Sequence, residues 1–224
     1  MSYPSRDCEG RRTIAPLWHT GCLLAILATS SGLLAFLNVG SATPKLGHLS
    51  LFLIVVVLEW AAFAFSLWNS SAVFVGFVAR AVKDPRSLLL DIPVALLLSI
   101  ISFLLGPLMV HILGQTGWVA LQGMRPNNGV EIVAWIVMAI SAGIGEETVF
   151  RGYLQQQLSG FTGHVSIGIL GQAAVFSLCH SYQGWKNMAL IFVLGCVYGG
   201  FVLLRKGLRA NMIAHAGVDI LAAF

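Results

Sequence analysis

The stretch that decides the fold is residues 131–158, EIVAWIVMAISAGIGEETVFRGYLQQQL, in which two glutamates and an arginine follow a long apolar run. A helix that spans a bilayer needs about 20 predominantly apolar residues, and this stretch is long enough. The sequence passes through Glu146, Glu147 and Arg151 without a turn signal strong enough to end a helix. We therefore predict a membrane helix that carries charged side chains within it.

The composition of the whole chain indicates that lipid is its solvent. Of the 224 residues, 57% are hydrophobic and only 10% are charged, whereas soluble domains carry about 25% charged residues. A soluble fold of this composition would have too little polar surface to stay in solution. The net charge of +4 comes mainly from basic residues between apolar runs, with no aromatic-rich basic stripe. We therefore expect no nucleic-acid partner.

Apolar runs along the chain predict an all-α fold, a polytopic transmembrane helix bundle of about seven (six to eight) spans. The candidate spans are residues 17–39, 49–68, 88–113, 131–158, 164–181, 187–204 and 210–224. Residues 71–79 are an apolar stub that either extends the second helix or forms an interfacial segment. The last run has about 15 residues, fewer than a full span needs, so we expect it to end partway or to pack inside the bundle.

The distribution of Lys and Arg predicts the orientation. With the N-terminus in the cytoplasm and seven alternating spans, nine basic residues lie inside and three lie outside, which fits the positive-inside rule. The inside set is Arg6, Arg11, Arg12, Arg80, Lys83, Arg86, Arg205, Lys206 and Arg209, and the outside set is Lys45, Arg125 and Lys186. This alternation places His180 toward the outer end of its helix and Glu146 toward the inner end of its own. A broken or tilted helix is therefore needed to bring the two side chains together.

The charged residues of the fourth predicted span have different partners. Glu147 and Arg151 are four residues apart, so they share a helix face and can pair. Glu146 points about 100° away and has no local partner. An unpaired carboxylate in an apolar site is suited to take a proton from water, so the spacing nominates Glu146 as a base and the pair as its scaffold. The alternative is an interfacial ion pair. Glu59 is isolated in the middle of the second span; it is either a partner of this cluster or a lone protonated acid, and we assign it no role.

Two histidines lie in otherwise apolar segments near the end of the chain. His180 follows Phe176 by one helical turn, and His215 precedes Asp219 by one turn. Taken alone, each histidine is more often a satisfied interior residue than a functional one. Three predicted spans, however, each carry an imidazole or a carboxylate, and lipid offers these groups no partner. We therefore expect the polar residues of the three helices to meet.

These residues resemble the CPBP family, also called the Abi or CAAX-protease family, of intramembrane proteases. Its motifs are two glutamates followed four residues on by arginine, phenylalanine with histidine four later, and histidine with asparagine or aspartate four later. The sequence has Glu146-Glu147-x-x-x-Arg151, Phe176-x-x-x-His180 and His215-x-x-x-Asp219, in that order. The resemblance covers about residues 133–224. We accordingly divide the chain into N-terminal transmembrane helices, 1–130, and a catalytic core, 131–224, within one continuous membrane domain.

The resemblance implies an intramembrane endopeptidase that hydrolyses a peptide bond of a membrane-associated protein or peptide. Glu146 and His180 would activate water, His215 and Asp219 would stabilise the oxyanion, and Glu147 and Arg151 would shape the site. The family contains enzymes that act on prenylated proteins and bacterial members linked to bacteriocin maturation or self-immunity. The expected partners are therefore membrane lipid and a peptide or protein substrate, either prenylated or a bacteriocin precursor. From the small size and short loops of the chain we expect a bacterial inner membrane.

Cofactor use and function both have alternatives. We expect no cofactor, because the glutamate-activated water needs no metal and the sequence has no HExxH motif. A zinc site would instead use Glu146, His180 and His215. The protein could also be a non-catalytic membrane partner or bacteriocin self-immunity protein that retains the fold, or a proton or ion pathway. A relay would spread its acids over several helices, whereas here they cluster after residue 131.

Overall fold

The apolar runs of the sequence form helices in the computed structural model, which describes residues 13–39, 44–83, 88–114 and 124–224. No β-strand occurs within these ranges. The helices are α1 (Leu17–Phe36), α2 (His48–Leu67), α3 (Ala72–Lys83), α4 (Leu88–Leu113), α5 (Gly129–Glu146), a π-helical segment (Glu147–Leu154), α6 (Gln155–Thr162), α7 (Val165–Cys179), a short 3-10 turn (Ser181–Gln183), α8 (Trp185–Arg205) and α9 (Arg209–Leu221).

The predicted all-α polytopic bundle is confirmed, because each of the seven predicted spans corresponds to a helix. Among the described residues, five segments are long and apolar enough to cross a membrane: α1, α2, α4, the 34-residue run Gly129–Thr162, and α8. Helices α7 and α9 have only 15 and 13 residues, fewer than a full span requires. As expected for the last run, α9 packs inside the bundle, against α4 and α5.

The apolar stub at 71–79 belongs to a separate helix and does not extend α2. Helix α2 ends at Leu67 and its cap Trp68 is extended, so the chain turns before α3 begins at Ala72. Phe74 and Phe77 bury one face of α3. The ring of Phe74 meets the ring of Tyr153 edge-on, with centroids 5.8 Å apart. Helix α3 therefore packs against the π-helical segment.

Helix α5 continues into α6 through the π-helical segment without a break. In a π-turn, hydrogen bonds run between residues five apart, which widens the helix and is frequent at functional sites. Every residue of Glu147–Leu154 is buried, so this widened section lies at the centre of the bundle. At the end of α6, Gly163 adopts a φ of 74°, which a residue without a Cβ adopts readily, and the chain turns into α7.

Small residues allow the motif-bearing helices to approach one another closely, as is typical of membrane bundles. A Cβ added at Gly143 of α5 would lie 2.7 Å from the carbonyl oxygen of Met212 and 2.9 Å from the Cβ of Ala216, both in α9. A Cβ at Gly195 of α8 would lie 2.8 Å from the Cβ of Ala173 in α7. The backbones of α5 and α9, and of α7 and α8, therefore touch at these positions.

Polar contacts tie the helix termini together at the two ends of the bundle. At one end, Asp91 accepts hydrogen bonds from Arg205 and Arg209, each at 2.8 Å, which joins the starts of α4 and α9 to the end of α8. At the other end, the indole nitrogen of Trp135 donates to the backbone oxygen of Asp219 at 2.9 Å. The start of α5 therefore lies beside the end of α9, so these two helices run in opposite directions.

The segment that precedes α1 is held by a buried glutamine of α6. The side chain of Gln157 accepts a hydrogen bond from the backbone nitrogen of Ile14 at 2.8 Å and donates to the carbonyl of Ala15 at 2.6 Å. The carbonyl of Ile14 in turn accepts from the backbone nitrogen of Ser71, just before α3. The first described residues are thereby fixed against α6 and α3, at the end of the long helix that is remote from Trp135.

The contact between α5 and α9 leads to a stability prediction. We expect Gly143→Ala to lower the free energy of unfolding by about 1–3 kcal/mol, because the new methyl group overlaps the backbone of α9. The matched control is Gly32→Ala in α1, where an added Cβ meets no atom within 4 Å. That control should leave stability unchanged or raise it by up to about 1 kcal/mol. Thermal unfolding in detergent measures both variants, and equal melting temperatures would contradict the close contact.

Candidate active site

Glu146 is the last residue of α5, at the point where the helix widens into the π-helical segment. Its carboxylate faces two imidazole rings from two other helices. Oε1 lies 4.0 Å from Nε2 of His180, and Oε2 lies 3.4 Å from Nε2 of His215. One carboxylate therefore stands between the two histidines of the sequence motifs.

His180 follows the last residue of α7, so the early end of that helix leaves its side chain within the bundle. Its Nδ1 lies 2.9 Å from the backbone oxygen of Phe176. A carbonyl oxygen only accepts hydrogen bonds, so Nδ1 carries a proton and Nε2 is the ring nitrogen that faces Glu146. The ring of Phe176 meets the imidazole edge-on, with centroids 4.8 Å apart. The phenylalanine of the motif thus orients the histidine through both its carbonyl and its ring.

His215 lies in the middle of α9 and touches three acidic side chains. Its Nδ1 is hydrogen-bonded to Oε1 of Glu147 at 2.8 Å. Its Nε2 lies 3.4 Å from Glu146 and 3.5 Å from Oδ2 of Asp219. The bond to Glu147 fixes the ring orientation and points Nε2 at the same region as Nε2 of His180.

Glu147 and Arg151 form the ion pair that their spacing predicts, and both side chains are almost completely buried. Nη1 of Arg151 lies 3.2 Å from Oε1 of Glu147, in an ion-pair contact that is not aligned as a hydrogen bond. The guanidinium also lies over the ring of Phe176, with Cζ 4.2 Å from the centroid. A cation above an aromatic face is attracted by the ring quadrupole. The three motifs are therefore joined through Glu147, Arg151 and Phe176.

The structure brings all six side chains nominated from the sequence into one constellation. Glu146, His180, His215 and Asp219 line a cavity of about 220 Å³, together with Arg151. Glu147 is fully buried behind this wall. A side chain that reaches the cavity can meet a substrate, whereas Glu147 can act only through its neighbours. The arrangement thus separates the side chains that line the cavity from the one that lies behind it.

Sequence reasoning assigns no role to two polar residues of this region. Asn211 is fully buried, and its Nδ2 donates to Oε2 of Glu147 at 3.3 Å and to the carbonyl of Tyr198 at 2.9 Å. Its position one turn before His215 was the available signal, because residues four apart share a helix face. Glu59 of α2 also lines the cavity. The sequence near Glu59 does not indicate that it lines the cavity. The polar side chains that share the cavity with it, such as Glu146 and His215, belong to other helices.

The alternative zinc site would use Glu146, His180 and His215. Within the part of the chain that the structure describes, no group of three or more His, Cys, Asp or Glu side chains is arranged to hold a metal ion. Glu146, His180 and His215 are neighbours, with Nε2–carboxylate distances of 3.4 and 4.0 Å. We derive no chemical step through a metal.

Comparison with known proteins agrees with the motifs. Residues 128–221 match the family model described as Type II CAAX prenyl endopeptidase Rce1-like. The matched segment begins at the cap of α5 and ends at the last residue of α9, so it contains all three motifs and every side chain that faces Glu146 from α7 and α9. No curated protein and no solved structure matches the chain.

The buried ion pair leads to a prediction about stability. We expect Arg151→Met to lower the free energy of unfolding by about 3–5 kcal/mol, because it leaves the Glu147 carboxylate buried without its cation. Adding Glu147→Gln to Arg151→Met should recover part of that loss, because the unpaired charge is removed. Unfolding of the two single variants and the double variant in detergent measures the coupling. Strictly additive losses would show that the two side chains do not depend on each other.

Proposed function

Because residues 128–221 belong to the Rce1-like family of type II CAAX prenyl endopeptidases, we propose that the protein is an intramembrane endopeptidase. It hydrolyses a peptide bond of a membrane-associated protein or peptide. The observation that carries the proposal is the meeting of two imidazole Nε2 atoms, from His180 and His215, at the carboxylate of Glu146 on the wall of a cavity.

Glu146 and His180 activate the attacking water in this proposal. The 4.0 Å between Oε1 of Glu146 and Nε2 of His180 is longer than a direct hydrogen bond. A water molecule between the two groups could bond to both. The carboxylate takes the water proton as the oxygen attacks the peptide carbonyl carbon. The bond from Nδ1 of His180 to the carbonyl of Phe176 keeps Nε2 directed at that water.

His215 and Asp219 stabilise the oxyanion that forms when the carbonyl is attacked. His215 lies within 3.5 Å of carboxyl oxygens from Glu146, Glu147 and Asp219. An imidazolium at this position is compensated by negative charge, and its Nε2 proton can be donated to a developing oxyanion. Asp219 is the partner that holds Nε2 near the cavity. Glu147 and Asn211 support the site from behind the cavity wall, and Arg151 supports it from within that wall. Glu147 orients His215 and is itself held by Arg151 and Asn211.

The proposed substrate and location follow the same family. A prenylated protein and a bacteriocin precursor are the two substrate classes to test, and a bacterial inner membrane is the proposed location. The protein is an integral membrane protein, because five of its described segments are long and apolar enough to cross a bilayer and residues 128–221 match the Rce1-like family. We propose that the N-terminus is cytoplasmic. Arg6, Arg11, Arg12 and Arg86 of the predicted inside set lie outside the described residues.

The described basic residues support this orientation. Arg205 and Arg209 meet at Asp91, and Leu208 between them packs on Phe77 of α3, three residues before Arg80. These cations therefore share one end of the bundle. The opposite end, where α2 and α5 begin, holds Lys45 and Arg125, which belong to the smaller outside set.

The catalytic proposal predicts the effect of a single atom exchange. Glu146→Gln should abolish peptide cleavage while leaving folded protein in the membrane, because the amide cannot accept the water proton. The matched control is Glu131→Gln in the same helix. The carboxylate of Glu131 accepts a hydrogen bond from the backbone nitrogen of Asn127 at the other end of α5, so this variant should retain full activity. Cleavage of a quenched fluorescent peptide library that contains prenylated members, by purified protein in detergent, measures both variants.

The same assay separates the alternatives. We expect activity to survive strong chelation, whereas activity that is lost with chelator and restored only by zinc would overturn the metal-independent mechanism. A fully active Glu146→Gln variant would overturn the catalytic role of that residue. If the well-folded wild type cleaves no member of the library, that result favours the alternative function of a non-catalytic partner or self-immunity protein.

The orientation predicts which loop residues are accessible from outside the cell. In a background with the native cysteines replaced by serine, Lys45→Cys should react with a membrane-impermeant maleimide in intact cells. Lys206→Cys should react only after lysis, because it lies at the cytoplasmic end of α8. Both lysines are exposed, so accessibility to solvent does not distinguish them. The reverse pattern of labelling would place the N-terminus outside.

A further inference from the structure

We propose that Glu59 of α2 is a second catalytic carboxyl of the proposed endopeptidase, a neutral acid that protonates the leaving amine. The inference rests on the proposed function and adds a residue that belongs to none of the three motifs. It also lies outside the segment matched by the family model, which begins at residue 128.

Glu59 lies where two cavities meet. The cavity of about 220 Å³ and a second one of about 90 Å³ are both lined by Glu59, Glu146, His180 and Tyr182. A peptide that enters either cavity therefore encounters Glu59 and Glu146 together. The two carboxyls come from different helices, so they can face a scissile bond from different sides.

A close approach of two helices holds Glu59 at this junction. A Cβ added at Gly145 would lie 3.5 Å from both the Cβ and the backbone oxygen of Glu59. The backbone of α2 therefore packs directly on the residue before Glu146, and Gly145 leaves the room for it. This contact fixes the root of the Glu59 side chain next to the turn that carries the proposed base.

The surroundings of Glu59 favour a carboxyl group that keeps its proton. Its Oε2 is buried and, among the residues that the structure describes, has no hydrogen-bond partner. The carboxyls of Glu146 and Asp219 line the same cavity as Glu59, and Arg151, the cation on that cavity wall, is engaged by Glu147. A buried carboxylate without a cation or a donor is very unfavourable, so such a group is held neutral. A neutral carboxyl has an O–H that it can donate.

Peptide hydrolysis requires such a donor. When the water oxygen bonds to the carbonyl carbon, Glu146 takes the water proton. When the carbon–nitrogen bond then breaks, its electron pair goes to nitrogen, and an amine leaves readily only if that nitrogen gains a proton. Glu59 donates this proton, and the proton held on Glu146 returns to Glu59 through the cavity that both line. The net change adds hydroxyl to the acyl half and hydrogen to the amine.

The test compares two bonds that differ in their need for an acid. One substrate is the peptide from the library that the wild type cleaves best. The other is the same sequence with sulfur in place of the scissile nitrogen, because a thiolate leaves without being protonated. Glu59→Gln should lower kcat/KM for the peptide by about 10²-fold or more and leave thioester cleavage within about threefold of the wild type. Glu146→Gln should lose both activities, because both bonds need activated water.

The ratio of peptide to thioester cleavage is measured within each preparation, so a smaller folded fraction does not change it. Glu59→Asp retains an acid that is one methylene shorter, and its ratio should lie between those of the wild type and Glu59→Gln. Equal losses on both substrates, or no loss on either, in the Gln and Asp variants would overturn the role of Glu59. A wild type that cleaves neither substrate would instead overturn the endopeptidase function itself.

Discussion

The Glu147–Arg151 ion pair, buried in the centre of a membrane bundle, is the interaction on which the rest of the site depends. Removing two charges from water is unfavourable by several kcal/mol for each ion, and their mutual attraction offsets this only when additional partners satisfy the remaining atoms. The protein supplies those partners from three other helices. His215 and Asn211 from α9 bond to the carboxylate, and Phe176 from α7 and Tyr198 from α8 offer their rings to the guanidinium.

The partners of the ion pair are also the groups that position the proposed chemistry. The bond to Glu147 sets the orientation of His215, and Phe176, which contacts Arg151, also holds His180 through its carbonyl. The two imidazoles are therefore oriented by the same interactions that make the buried charges tolerable. Stability and reactivity are coupled here, because a change in the supporting pair also moves the rings that face Glu146.

Close backbone contacts make this convergence possible in lipid. Helices in a membrane lack the hydrophobic force that drives association in water, so they associate through tight packing and polar contacts. Gly143 lets α9 touch α5, and Gly145 lets α2 touch the same helix two residues later. The widened π-helical segment begins directly after these positions. Glu146 therefore lies where α2, α7 and α9 all approach a single helix.

The sequence by itself determined the all-α membrane bundle, since long apolar runs in lipid have only the helix to satisfy their backbone groups. It also determined the Glu147–Arg151 pair and the alignment of His215 with Asp219, because side chains four residues apart share a helix face. Only the tertiary structure decided which helices meet. Asn211 as a partner of Glu147, Glu59 beside Glu146, and α3 as a helix separate from α2 all depend on contacts between segments distant in the chain. Local periodicity carries no information about such contacts, whereas the packing of small residues and buried charges specifies them.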